Sequence, residues 1–235
     1  MKHFIVTGAS RGVGFEVVRS LASEGEGRRI IALARTSEVL ERCKAVSDRP
    51  ERDNHMLPLT FDLMQEDYGP LKEAIENFCG GRIDGVLNNA GKLENKLFTE
   101  LTDDDWYHIY KVNVFGVAKL TRFVLPYIKQ GHVVNVSSMG GIQGSVKFPG
   151  LSAYSSSKAA VIGLTECLAE EYKESAIRFN CLAFGSVQTQ MLEEAFPGFK
   201  AAVTAAEVGA YTARFVTEGG QFFNGKTLEV SSSTP

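Results

Sequence analysis

Apolar residues in this chain alternate between short continuous runs and helical stripes. Residues 4–7 (Phe-Ile-Val-Thr) read as a buried strand. Val13, Val17 and Leu21 recur at helical spacing, which predicts a helix over 13–23 stopped by Gly25 and Gly27. The same reading gives strands over 29–34, 56–61, 83–87, 132–136 and 177–183, and a short last strand over 227–230. It gives helices over 37–47, 66–78, 152–173 and 201–217. Thr102 followed by Asp103, Asp104 and Asp105 marks a helix start, because the threonine caps and the acids favour the positive end of the helix dipole. That helix is expected to run to about residue 129. Residues 137–150 read as a glycine-rich loop, and 187–199 as a loop or short helix.

Strand and helix alternate throughout, and the strands are almost wholly apolar. This predicts an α/β fold: a doubly wound, Rossmann-like parallel sheet of about seven strands, covered by helices on both faces. The 235 residues show no linker, repeat or low-complexity segment, so one domain over 1–235 is expected. A net charge of −3 offers no surface for nucleic acid. No apolar run reaches membrane-spanning length, and the first strand begins too early to leave room for a signal peptide. Cys43, Cys79, Cys167 and Cys181 form no C-x-x-C pair. They read as buried reduced thiols, with no metal site and a cytoplasmic location.

Thr7-Gly8-Ala9-Ser10-Arg11-Gly12-Val13-Gly14 joins the first strand to the first helix. Glycines there let the backbone turn tightly and approach a pyrophosphate seated on the helix N-terminus. The second strand ends in Ala34-Arg35-Thr36, where an acid would face the ribose diol of NAD. Arg35 can instead fork onto a 2′-phosphate, and Arg11 could supply a second cation, so NADP(H) is favoured over NAD(H). Asp62-Leu63 closes the third strand, where Asp62 either accepts from an adenine amine or caps a turn. Asn88, Asn89, Ala90 and Gly91 end the fourth strand. Their small size lets the loop pass close to a nucleotide, and the amides can tie strands together.

Ser137 and Ser138 end the fifth strand, on the edge where open parallel sheets bind ligands. Tyr154 and Lys158 stand four residues apart on the following helix and share a face. An ammonium beside a phenol favours phenolate, so the tyrosine pKa is expected to fall from about 10 toward neutrality. Asn113 lies mid-helix in an apolar stretch, where an amide needs a partner or a function. Trp106 and His108 read as packing or surface residues, and His3, His55 and His132 show no partner pattern.

Together these segments resemble the short-chain dehydrogenase/reductase family over nearly the whole chain. The resemblance implies a catalytic tetrad of Asn113, Ser138, Tyr154 and Lys158, with Ser138 chosen over Ser137 because Ser138-Met-Gly-Gly141 fits the family spacing. It implies that Ser138 binds a substrate carbonyl, Tyr154 protonates it and Lys158 holds the nicotinamide ribose. Asn113 would fix a water that relays protons. Val187 and Thr189 match the segment that meets the carboxamide. One departure is Ala183-Phe184-Gly185, where the family usually has Pro-Gly. The implied activity is NADPH-dependent reduction of a carbonyl to an alcohol, or the reverse, on a small molecule. A catalytically silent NADP(H)-binding sensor or scaffold is the alternative. Substrate selection falls to 143–152 and to a substrate loop over 186–202, with Phe148, Leu151, Met191, Phe196 and Phe199 as apolar candidates. The family also implies a homotetramer or homodimer formed through the two long helices.

Overall fold

A computed structural model describes residues 1–231. The elements follow in chain order as β1 (Lys2–Thr7), α1 (Gly12–Ser23), β2 (Arg28–Ala34), α2 (Ser37–Ser47), β3 (His55–Thr60), α3 (Gly69–Phe78) and β4 (Gly85–Asn88). Then come α4 (Asp103–Tyr110), a π-helical segment (Lys111–Phe115), α5 (Gly116–Val124), β5 (Gln130–Ser138) and α6 (Ser152–Glu171). The chain continues through β6 (Ala176–Phe184), β7 (Val187–Gln188), α7 (Gln190–Ala195), β8 (Val203–Thr204), α8 (Ala205–Glu218) and β9 (Thr227–Val230).

Seven strands form one parallel sheet in the order β3-β2-β1-β4-β5-β6-β9, with helices on both faces. The period of two along a strand assigns each side chain to a face. Phe4, Val6, Ile30 and Ala32 pack under α1 and α8, while Ile5, Ile31 and Leu33 pack against α3 and α5. Both faces are apolar because both are covered. The strand order reverses between β1 and β4, and the two are paired there through Val6 and Leu87. A crevice must open at the carboxyl ends of those strands.

The helix expected over 102–129 is broken into pieces. Thr102 caps α4 as read: its hydroxyl accepts from Asp105 N at 3.2 Å, and Asp105 accepts in return from Thr102 N at 3.0 Å. The backbone then widens at Lys111–Phe115, where Gly116 N–H reaches back to Lys111 O. Pro126 removes a donor, and the last turn collapses to 3-10 before β5. Two other helices start late. Pro70 sets the first turn of α3, after Asp67 has accepted from Gly69 N at 2.7 Å. Thr204 and Glu207 form a capping box that begins α8 at Ala205, four residues later than the periodicity suggests. Cys43, Cys79 and Cys181 are buried thiols, but Cys167 is exposed on α6, against expectation.

Buried amides knit the middle of the sheet. Asn88 Nδ2 donates to Asn135 Oδ1 at 2.7 Å and to Thr121 Oγ1 at 3.1 Å, and Asn135 Nδ2 donates to Thr165 Oγ1 at 2.9 Å. β4 and β5 are thereby fixed to α5 and α6 immediately beneath the crevice. Breaking one of these bonds would leave a buried polar group costing about 1–3 kcal/mol.

Candidate active site

A cleft of about 1830 Å³ opens at the carboxyl edge of the sheet. Its wall carries Gly8, Ser10, Arg11, Gly12, Val13, Arg35, Asp62, Leu63, Asn89, Ala90 and Gly91 at one end, and Ser138, Tyr154, Lys158, Val187 and Thr189 at the other. Of the residues singled out from sequence, Gly14 and Asn113 lie behind this wall.

The turn after β1 is shaped to hold an anion. Gly8 and Gly12 adopt φ of 65° and 58°, which L side chains rarely take. A Cβ on Gly14 would meet Gly8 O at 2.3 Å, so helix and turn pack backbone to backbone. Arg11 caps α1 with no side-chain hydrogen bond, and no acid occupies the first turn, so free N–H groups face the cleft. A nicotinamide dinucleotide fits this cradle through its pyrophosphate. Thr7 Oγ1 accepts from both Asn89 N and Ala90 N at 2.9 Å, which holds the loop after β4 against the turn. Asn89 Nδ2 also donates to Thr7 O at 3.1 Å, the strand-tying role expected of it.

Three residues of this cleft also make contacts within the protein. Arg11 Nη1 lies 3.4 Å from Glu194 Oε1, an exposed pair between the glycine turn and α7. Asp62 Oδ1 accepts from Met64 N at 2.8 Å, so one of its oxygens closes the turn. Thr189 Oγ1 accepts from Leu192 N at 3.3 Å as the cap of α7, leaving only its own proton to offer the cleft.

At the other end, β5 presents Ser138 and α6 presents Tyr154 and Lys158. Ser138 Oγ accepts from Gly140 N at 3.2 Å, and the Ser138 hydroxyl lies on the Tyr154 side of the cleft, where it favours the phenolate. Lys158 Nζ donates to Val136 O at 2.8 Å and stands 5.7 Å from the centre of the Tyr154 ring. Ser137 is turned away, its hydroxyl donating to Lys158 O at 2.8 Å. Gly141 lets β5 and α6 close together, since a Cβ there would meet Lys158 C at 2.7 Å.

The lysine does not lower the tyrosine pKa in this structure. Burial pushes the Tyr154 phenol up to about 12, and only the Ser138 contact opposes it. Burial pushes Lys158 down to about 8. The ammonium faces a backbone carbonyl and lies beside the ring, so desolvation dominates both groups. At neutral pH the phenol is therefore fully protonated, the form a proton donor needs.

Asn113 is fully buried in the π segment. Oδ1 accepts from Lys92 N at 2.7 Å, and Nδ2 donates to Lys92 O at 2.9 Å and to Ser157 Oγ at 2.9 Å. With its side-chain amide so engaged, Asn113 positions the loop after β4 against the Tyr154 helix, and that side chain is not free to hold a relay water. His108 is a surface residue of α4, as read from the sequence, and it stands at the rim of the cleft. His132 is buried with Nε2 accepting from Asn180 Nδ2 at 2.9 Å, a partner 48 residues away that no local pattern announces.

The sequence profile of the short chain dehydrogenase family matches residues 2–199. The chain belongs to the short-chain dehydrogenase/reductase family. It is 36% identical over 197 residues to the 3-oxoacyl-acyl-carrier-protein reductase of Thermotoga maritima, covering 81% of this chain and 76% of that one. Among solved structures, levodione reductase superposes with a TM-score of 0.86 at 27% identity, covering 98% and 96% of the two chains. A short chain dehydrogenase from Burkholderia cenocepacia in complex with NADP gives 0.85 at 26% identity, covering 99% and 97%. As a short-chain dehydrogenase/reductase, the chain is an oxidoreductase that uses a nicotinamide cofactor. Among the described residues no helix is long and apolar enough to cross a membrane.

Proposed function

We propose that this short-chain dehydrogenase/reductase reduces a small-molecule carbonyl with NADPH, through Ser138, Tyr154 and Lys158, with Asn113 as a positioning residue. The observation that carries this reading is that Ser138, Tyr154 and Lys158 line the same cleft as the glycine cradle. When bound, the nicotinamide supplies the hydride. Ser138 donates a hydrogen bond that fixes the substrate carbonyl. Tyr154 hands its proton to that oxygen as negative charge develops there, and a positioned acid of this kind contributes about 10²–10⁴-fold. Lys158 keeps donors beyond the one on Val136 O and offers them to the ribose hydroxyls. Gly8, Ser10, Gly12, Val13 and the backbone of 89–91 receive the rest of the dinucleotide, with Leu63 beside the base and Val187 beside the carboxamide. NADP(H) is preferred because Arg35, exposed on the cleft wall directly after β2, stands where an acid would select NAD(H).

Phe148, Leu151, Met191, Phe196 and Phe199 line the far wall, and the Phe148 and Phe196 rings approach to 6.4 Å between centres. This apolar wall, with the loop over 186–202, selects a carbonyl compound carrying an apolar body. The whole chain acts as one catalytic domain in the cytoplasm. It assembles as a homodimer or homotetramer, for which Tyr107 and Phe115, 70% and 53% exposed on the α4–α5 run, provide apolar surface.

NADPH oxidation at 340 nm against diketones, aldehydes, quinones and β-ketoacyl thioesters tests the activity. Turnover with at least one class is expected. Nucleotide binding with no turnover across the panel would favour a silent sensor instead. In the same experiment Arg35→Ala should weaken NADP selectively, whereas equal loss of NADP and NAD would remove the 2′-phosphate assignment.

A further inference from the structure

α7 is six residues long, too short to hold its own shape, so its position depends on what grips its ends. On the nucleotide side it rests on the glycine turn. Arg11 Nη1 meets Glu194 Oε1 at 3.4 Å, and a Cβ on Gly12 would lie 3.4 Å from Thr189 Cγ2. On the substrate side Asn95 Nδ2 donates to Ala195 O at 2.7 Å. The last carbonyls of a helix have no intrahelical donor, and this amide supplies one from 100 residues away. Asn95 itself is firmly based. The neighbouring Lys96 Nζ pairs with Asp105 Oδ1 at 2.9 Å, and Lys96 N donates to Gly150 O at 3.0 Å. Gly150 has a φ of 84°, and a Cβ there would collide with Asn95 Oδ1. Three segments therefore meet at one amide, and each carries side chains that line the cleft: Leu93 in the loop after β4, Phe148 and Leu151 around Gly150, and Met191 and Phe196 in and after α7.

We infer that Asn95 is a positioning residue that sets the affinity for the carbonyl substrate: it latches the C-terminal end of α7 and so holds Met191 and Phe196 in place on the far wall of the cleft. The inference deepens the carbonyl-reductase reading above and rests on it. Asn95 acts through α7. Ser138 stands on β5 and Tyr154 on α6, and both keep their places when α7 is released, as does the glycine turn. Releasing the latch weakens apolar contact with the substrate in the ground state and the transition state alike, which raises KM and spares kcat. The bond lies at the surface, where one such contact is worth about two- to tenfold.

The test compares wild type, Asn95→Ala and Asn95→Asp by amide hydrogen exchange over residues 190–199 and by steady-state kinetics. The aspartate keeps the size of the side chain and loses the donor, turning an oxygen toward Ala195 O. Both variants should exchange about two- to tenfold faster over 190–199. Both should raise the KM of a carbonyl substrate by about two- to tenfold, while kcat and the NADPH Kd stay within about twofold of wild type. Exchange over 190–199 that is unchanged in both variants overturns the latch. So does an aspartate variant that matches wild type while the alanine variant does not, because the side chain then acts by its bulk alone. KM and NADPH Kd rising together overturn it as well, since the substitution has then loosened the whole cleft. A wild type that binds NADPH and reduces none of the carbonyl classes removes the carbonyl reading and the inference with it. An active wild type with KM unmoved in both variants removes the inference alone.

Discussion

Lys158 is where function and stability should oppose each other most clearly. Its side chain is 4% exposed, its one recorded acceptor is Val136 O at 2.8 Å, and burial pushes it from 10.5 down to about 8. That drop corresponds to about 3 kcal/mol held against the charged form in the folded, nucleotide-free protein. Lys158→Met fills the same space without a charge. It leaves the Val136 carbonyl short of a partner, at a cost of about 1 kcal/mol. A net gain of about 2 kcal/mol at pH 7 follows, which for a chain of this length raises Tm by about 4–8 °C. Scanning calorimetry against pH tests the sign. Between about pH 8 and 10.5 the unfolded chain keeps the lysine proton after the folded one has lost it, so this group makes the wild type more stable as pH rises. The methionine variant lacks that rise, and the gap between the two should close by about pH 10.5. Turnover should vanish in the variant at every pH. A variant less stable than wild type at pH 7, or a gap that does not shrink, would refute the reasoning.

Two other outcomes follow from the geometry. Gly14→Ala puts a methyl 2.3 Å from Gly8 O, so it should abolish nucleotide binding measured by calorimetry and lower Tm by several degrees. Burial pushes His132 down to about 4, so its neutral form supports the fold above pH 6.5 and that support drains away as pH falls toward 4, by about 3 kcal/mol in all. Urea midpoints at pH 7 and pH 4.5 should therefore differ less in His132→Gln than in wild type.

Much of this architecture was legible because the chain states it locally. Apolar strands such as 29–34 admit no other reading once helices flank them, and the glycine turn declares itself by its place between strand and helix. The seven-stranded parallel sheet follows from that alternation. What the periodicity misplaced were boundaries governed by hydrogen bonds between specific residues: the Thr204–Glu207 box, the Asp67 turn before Pro70 and the π turn at Asn113. The apolar stripe runs through Asn113 unbroken, yet the amide bonds Lys92 from 21 residues away, and the backbone widens there. The β7–β8 pair is two residues long on each side and leaves no period to detect. At the site, residue identities were readable but their electrostatics were not. The i and i+4 spacing of Tyr154 and Lys158 says that they share a face. It does not say that the ammonium turns to a carbonyl on β5 while burial sets both pKa values. Nor could a linear reading see Glu194 reaching Arg11 across 183 residues.

The most direct measurement is steady-state reduction by Tyr154→Phe with NADPH and a carbonyl substrate that wild type turns over, read beside NADPH affinity. Losing only the phenolic hydroxyl should lower kcat by about 10²–10⁴-fold or more while the NADPH Kd stays within about twofold of wild type. A phenylalanine enzyme that keeps kcat within tenfold would contradict the assignment of Tyr154 as the proton donor.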